Sequence, residues 1–369
     1  MIRLLHVRSG QGLYGAERSL LTLASATRPP LQPAVASLVR PGREDVLGAE
    51  ARRLGLETLR IDAPGRLSVR ALAPLVRASR GALLHAHDYK SLLLGLAAGA
   101  RSGSPVVATF HGDTGHSALV RRYEALARLG ARAAAGVAAT SEPLAARLRA
   151  AAPRTPVHVI PNGITPGPLP SADERGAARA ALEVPPGARV VAFVGRLSPE
   201  KGPEILLRAA RGTGSLLLFA GEGPLLPALE AEARGAARFL GFVGDVRQVF
   251  AAADVLALPS RTEGLPMVVL EAMAAGVPVA ASAVGSLPEV LGEGAGLLVP
   301  PGDVDALRAA LHALERPEVS TAVSAAARAR VESRYSAEAM AASYLRLLYQ
   351  PALERTGGRA APGASPQVW

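Results

Sequence analysis

The chain contains no cysteine, which excludes disulfides and thiolate chemistry. Aromatic residues make up only 4% of it. No stacking or zinc-ligating pattern interleaves with the arginines, which argues against a nucleic-acid partner. Long apolar runs are also missing: SLLLGLAAGA (91–100) is about half of what a bilayer requires. The apolar start of MIRLLHVRSGQG is too short for the hydrophobic region of a signal peptide. These absences predict a soluble, cytosolic protein. Lysine is scarce as well, with Lys90 and Lys201 standing alone among arginines.

What is present describes a globular chain, 49% hydrophobic and 20% charged. Its 369 residues exceed one ordinary core, so two domains are expected. The net charge of +10 is unevenly placed. Residues 1–165 hold 22 Lys/Arg against 10 Asp/Glu, and the rest holds 19 against 21. A basic first half points to a polyanionic partner, such as anionic lipid or a phosphorylated substrate, or to an arginine-rich solvated surface.

Residues 9–19, SGQGLYGAERS, contain Gly10, Gly12 and Gly15 as G-x-G-x-x-G between a strand-like and a helix-like run. A dinucleotide site needs an acidic residue at the tip of the second strand. Arg40-Pro41-Gly42 follows the run PAVASLV instead, and Glu44 and Asp45 fall in a turn. An NAD site is therefore disfavoured.

Apolar runs alternate with helical segments throughout. The strand candidates are IRLLHV, AVASLV, LETLRI, ALLHAH, VVATFH, GVAAT and VHVI. After PNGITPGPLPSADERG (161–176), read as a linker, come RVVAFVG, SLLLFAG, RFLGFV, VLALP, VPVAAS and GLLVP. This pattern predicts an α/β fold of two doubly wound, Rossmann-like domains with parallel sheets, facing a central cleft. We place the domains at 1–165 and 166–335. A last helix over about 336–350 packs back on the first domain, and 351–369 forms a disordered tail.

In FVGRLSPEKGPEILLRAA (193–210), Arg196 and Lys201 follow a strand end, and Pro203-Glu204 opens a helix. Cations beside a helix N-terminus suit a pyrophosphate. In ALPSRTEGLPMVVLEAMAAGVPVAAS (257–282), a helix starts near Pro266 and ends at Gly276. Glu263 lies in the preceding loop and Glu271 within the helix. With the free amides of Gly264, Leu265 and Met267, they suit a hydroxyl-rich ligand. A glutamate set in VVLEAMAAG needs a partner.

The E-x7-E of Glu263 and Glu271, with GR…EKG upstream, VIPNGI at the linker and the glycine-rich first loop, resembles the family-4 glycosyltransferases. The resemblance implies the GT-B architecture and retaining transfer of a sugar from a UDP- or GDP-sugar. Glu271 would hold the donor ribose, and Glu263 the donor sugar near its reacting carbon. Arg196 and Lys201 would neutralise the diphosphate, so no metal is expected. Val243, in GFVGD (241–245), would meet the base through its backbone. Gly264, Leu265 and Pro266 would line the donor site, Gly15 would approach the diphosphate, and His111 would touch the donor sugar. The family's paired glycines before AE become Tyr14-Gly15 here, and Glu17 is assigned to helix capping or an acceptor contact.

A glycan or polyprenyl-linked acceptor is expected, in polysaccharide or glycolipid synthesis. Arg121, Arg122, Arg128 and Arg132 would suit docking on the inner face of an anionic membrane. A sugar-nucleotide epimerase or a non-catalytic sugar-nucleotide binder on the same fold are the alternatives. Asp303-x-Asp305 imitates a metal motif but reads as an N-cap and a first-turn carboxylate. His85 and His87 end a strand with no third ligand at a useful spacing, and we place them on the cleft wall or acceptor side.

Overall fold

The structure, a computed structural model, describes residues 1–9, 12–64, 69–112, 118–233 and 235–357. They form two compact units, one of Met1–Pro161 with the chain from Met340 onward, the other of Asn162–Ala339.

The first unit holds seven strands: β1 (Ile2–Arg8), β2 (Leu31–Val39), β3 (Glu57–Asp62), β4 (Ala82–Ala86), β5 (Val106–Phe110), β6 (Gly136–Ala139) and β7 (Val157–Val159). Their order is β3-β2-β1-β4-β5-β6-β7, with all pairs parallel. The second unit holds β8 (Val190–Val194), β9 (Leu216–Ala220), β10 (Ala237–Phe239), β11 (Val255–Leu258), β12 (Val279–Ser282) and β13 (Leu297–Val299). Their order is β10-β9-β8-β11-β12-β13, again parallel. The central strands are continuous apolar runs because helices cover both faces; every residue of β8 and β11 is buried. The run RFLGFV is shorter as a strand than its pattern suggests. Beyond Phe239, Gly241 makes only an isolated antiparallel bridge to Gly221.

Strand order reverses between β1 and β4 and between β8 and β11. Open α/β sheets bind ligands outside the strand carboxyl ends at such points. The loops following these four strands are therefore the first places to look for a ligand site.

Three expectations change. Ile164, placed by sequence in the first domain, belongs to the second unit: its N–H donates to the Tyr335 carbonyl at 2.9 Å and its side chain joins that core. The linker also ends early, because Ser171 and Glu174 form a capping box that starts the helix Ala172–Ala181. Finally, residues 351–357 are helical rather than the start of a disordered tail. The helix Ala337–Tyr344 passes through a π turn, Leu345–Tyr349, into Gln350–Gly357. Pro351 stands just after the π turn inside this continuous helical run, so its missing N–H leaves a gap in the backbone ladder there. Ala352 is buried and Arg355 donates to the Ala135 carbonyl at 3.1 Å. Residues 358–369 lie outside the described residues.

This C-terminal segment completes the first unit. Tyr344, Leu348 and Tyr349 pack with Leu4, Leu83, Val107 and Ala138 of its sheet. Among the described residues no helix is long and apolar enough to cross a membrane. Leu348 is 2% exposed, so Leu348→Ala should lower the first unit's stability by about 2–5 kcal/mol. Urea unfolding measures this, and an unchanged midpoint would contradict the docking.

Candidate active site

In the second unit the loops after β8 and β11 are locked together. Gly202 has φ +62°, and a Cβ there would lie 2.5 Å from the Pro259 carbonyl oxygen, so only glycine permits the approach. Arg261 ties the loops further: its amide donates to the Glu200 carbonyl at 2.8 Å, and its guanidinium pairs with Glu204 at 2.7 Å. Within this frame the Lys201 Nζ lies 2.7 Å from both carboxylate oxygens of Glu263. Ser260 Oγ donates to Glu263 Oε1 at 2.7 Å. The Glu263 side chain is only 5% exposed, and a carboxylate so covered requires such partners.

The next residues form a turn whose carbonyls are occupied and whose amides are not. Ser286 donates to the Gly264 carbonyl through both N–H (3.1 Å) and Oγ (2.7 Å). Asn162 Nδ2, on the buried VIPNGI segment, donates to the Leu265 carbonyl at 3.2 Å. A Cβ on Gly285, at φ +59°, would stand 2.3 Å from the Glu263 carbonyl. The N–H groups of Gly264, Leu265 and Met267 have no acceptor among the described residues. They open the helix Met267–Ala274, with Pro266 as N-cap, a ready site for electron-rich ligand atoms. Glu271 is half-buried, little more than one turn inside this helix. Arg196 is exposed after β8; Val243 packs partly against the core while Phe242 beside it is exposed. Asp303 caps the helix Val304–Ala313 by accepting from Ala306 N–H at 2.9 Å, and Asp305 pairs with Arg308 at 2.7 Å.

The first unit presents a different chemistry. Of its opening glycines, Gly10 lies outside the described residues, while Gly15 is exposed as the first residue of the helix Gly15–Ala26. Glu17 is buried, accepts the Tyr14 N–H at 3.2 Å and pairs with Arg8 at 2.6 Å. Arg8 Nη1 also donates to the His87 carbonyl at 2.6 Å. Asp88 spans the switch point: Oδ1 caps the helix Tyr89–Ser102, and Oδ2 accepts from Ser9 N–H (2.6 Å) and Oγ (3.0 Å).

His111, just after β5, does not stand alone. Its Nε2 lies 3.3 Å from His87 Nδ1, and His87 Nε2 lies 3.0 Å from His6 Nδ1. His85 Nδ1 meets Tyr349 Oη at 2.9 Å, and its Nε2 meets Thr109 Oγ1 at 2.7 Å. Burial pushes the imidazoles of His6 and His111 down to about 3, the Arg8 charge adding to the effect at His111. Burial also holds His85 and His87 well below the usual histidine value, with neighbouring rings reinforcing it.

The third histidine that sequence spacing did not offer is His6. His6, His85 and His87 bring ligand atoms within 4.8 Å of one another. They suit a metal poorly. Both His85 nitrogens are taken by hydroxyls, its ring lies against His87 with centroids 3.9 Å apart, and Arg8 adds positive charge. Sequence reasoning missed His6, Arg8, Asn162, Ser260 and Arg261, although Asn162, Ser260 and Arg261 lie in stretches that the motifs marked. A hollow of about 500 Å³ lined by Pro185, Leu207, Arg211 and Glu232 sits at the amino end of β9, the wrong end of a sheet for a ligand.

Glycosyltransferase Family 4 matches residues 14–167, and Glycosyl transferases group 1 matches 188–317. The chain belongs to the family-4, group-1 glycosyltransferases. A D-inositol 3-phosphate glycosyltransferase of Mycolicibacterium paratuberculosis is 37% identical over 207 residues, covering 50% of this chain and 46% of that protein. The chain thus spans about half the length of the curated relatives it matches. Anabaena HepE, solved with UDP and glucose, superposes with a TM-score of 0.83 at 23% identity, over 95% of this chain and all of that one. Sucrose-phosphate synthase from Thermosynechococcus elongatus gives 0.79 at 24% identity, over 95% and 99%. These likenesses show the GT-B fold.

The buried histidines make stability pH-dependent. Their folded values lie below the unfolded value of about 6.5, so on acidification the unfolded chain takes up protons first. Arg8 opposes charging, while Tyr349, Tyr344 and Thr109 offer only hydroxyls. Stability should be complete above pH 6.5 and fall towards pH 3, by up to about 1.4 kcal/mol per pH unit for each histidine. Urea midpoints at pH 7.5, 6 and 5 measure it, and a flat profile would contradict neutral burial.

Proposed function

We propose that this family member transfers a sugar from a nucleotide-diphospho-sugar to a glycan or lipid-linked acceptor, retaining anomeric configuration without a metal. The observation that carries this reading is the buried Glu263 carboxylate, held by Lys201 and Ser260 beside the unoccupied amides of Gly264, Leu265 and Met267. A fixed carboxylate and fixed amides recognise sugar hydroxyls and developing charge without reorganising. Glu263 is assigned to the donor sugar, Glu271 to the ribose, Val243 to the base, and Pro266 to the wall of the donor site. His111 is assigned to the sugar and Gly15 to the diphosphate. The ammonium of Lys201 is shared with Glu263, which leaves the exposed Arg196 as the more available charge for the diphosphate.

In the reaction the bond from the anomeric carbon to the diphosphate oxygen breaks and the acceptor oxygen bonds to that carbon. The acceptor proton passes to the leaving diphosphate on the same face. UDP and UDP-glucose bound to HepE favour a UDP-sugar among the candidates. The relatives' name favours a second acceptor reading, a phosphorylated polyol such as inositol 3-phosphate, which suits the basic first half.

Incubation with UDP-sugars and each acceptor class should give an acceptor-dependent product that keeps the donor's anomeric configuration and persists in EDTA. Donor turnover without acceptor would favour an epimerase instead. Arg196→Ala should lower turnover by about 10²-fold.

Membrane docking rests on the helix Ala118–Gly130, where Leu126 and Leu129 are 46% and 50% exposed beside the exposed Arg122. Arg128 is half-buried, Arg132 exposed and bonded to the Ala151 carbonyl, and the Arg121 side chain lies outside the described residues. Replacing Leu126 and Leu129 with serine and Arg122 with alanine should abolish sedimentation with anionic vesicles. Unchanged sedimentation would remove this surface from the reading.

A further inference from the structure

Three imidazoles form a continuous line in the first unit. His6 lies on β1, His87 directly after β4 and His111 directly after β5, and β4 lies between β1 and β5 in the sheet. Parallel register sets the rings in sequence: His6 Nδ1 to His87 Nε2 at 3.0 Å, then His87 Nδ1 to His111 Nε2 at 3.3 Å. The two terminal nitrogens, His6 Nε2 and His111 Nδ1, are buried and have no hydrogen-bond partner among the described residues.

Neutral imidazole carries one N–H and one lone pair. Three neutral rings therefore carry three N–H groups; two fill the links and the third falls at one end. Only two arrangements satisfy both links. In one, all three rings are Nε2–H tautomers and His111 Nδ1 presents a lone pair. In the other, all three are Nδ1–H tautomers and His111 Nδ1 presents a proton. A mixed arrangement puts two N–H groups or two lone pairs face to face in a buried site, where unmade hydrogen bonds are costly. The tautomer of one ring is thus dictated by the hydrogen bond at its other nitrogen.

We propose that His6 and His87 are positioning residues that tie the tautomer of His111 to their own, so that the ring assigned to the donor sugar can change the position of its proton only when all three rings do. This rests on the assignment of His111 to the donor sugar made above. Neither His6 nor His87 need touch a substrate; their work is to order the proton on the ring that does. Arg8 assists from the side: it holds the His87 carbonyl and, by its charge, discourages protonation of His87 and His111, which would break the one-proton-per-link rule.

The test is a long-range 1H–15N correlation spectrum of the full chain with 15N-labelled histidine at pH 7.5, with signals assigned by single substitutions. In the unsubstituted protein His6, His87 and His111 should be neutral and share one tautomer. In His6→Phe the ring-nitrogen shifts of His111 should move, because the balance between the two arrangements loses the His6 link. Turnover should fall by about tenfold with the donor KM unchanged. His6→Asn, which restores a polar partner for His87, should bring the His111 shifts back towards those of the unsubstituted protein; it also serves if the phenylalanine variant does not fold. Unaltered His111 shifts in His6→Phe, with His158 and His312 signals in place, would overturn the proposal, as would opposite tautomers along the line. Coupled tautomers together with a fully active His111→Ala would leave the coupling standing and remove His111 from the transfer reaction.

Discussion

The Glu263 carboxylate lies under cover between Lys201 and Ser260, and both loops after β8 and β11 are shaped to bring them there. An unpaired carboxylate at this depth would protonate or pull the loop outward. Gly202 lets the two loops touch, Gly285 lets a third loop press on the Glu263 carbonyl, and Arg261 holds the first two in register. The turn that follows is held through its carbonyls by Ser286 and Asn162, and its amides have no acceptor among the described residues. A polar site of this kind is rigid before any ligand arrives, which is what electrostatic catalysis requires.

The first unit solves the opposite problem. It buries three histidines and half-buries a fourth, His111, with the Arg8 guanidinium nearby, and it does so by keeping the rings neutral and pairing most of their nitrogens with one another and with the hydroxyls of Thr109 and Tyr349. The C-terminal helices supply Tyr344 and Tyr349 to this network. The segment from Met340 therefore contributes polar partners to the first sheet as well as apolar cover.

Much of this was legible in the chain. Parallel strands buried on both faces are short apolar runs closed by glycine, proline or a cap, and each of the thirteen runs so read overlaps a strand. Arg196, Lys201, Glu263 and the Gly264–Met267 turn fall after strands whose ends were visible. What escaped depends on long-range contact. Nothing beside His6 says that β1 will lie against β4, and Asn162 meets Leu265 across 103 residues. The pairing of Lys201 with Glu263 spans 62 residues, so each was read as a separate contact with ligand. Local signals also competed. The prolines and glycines of 161–176 conceal the Ser171 capping box, and Pro351 marks a helix end to the eye where the helical run in fact continues past a π turn.

The most direct measurement is a thermal-shift series with UDP-, GDP- and ADP-sugars and with NAD, run on the unsubstituted chain and on Glu263→Gln. A nucleotide-sugar at 100 times its dissociation constant should stabilise the unsubstituted protein by about 2.7 kcal/mol. That shift should shrink in Glu263→Gln, and NAD should have no effect. Stabilisation by NAD alone, or equal sugar-nucleotide shifts in both proteins, would contradict a donor site built around the Lys201–Glu263 pair.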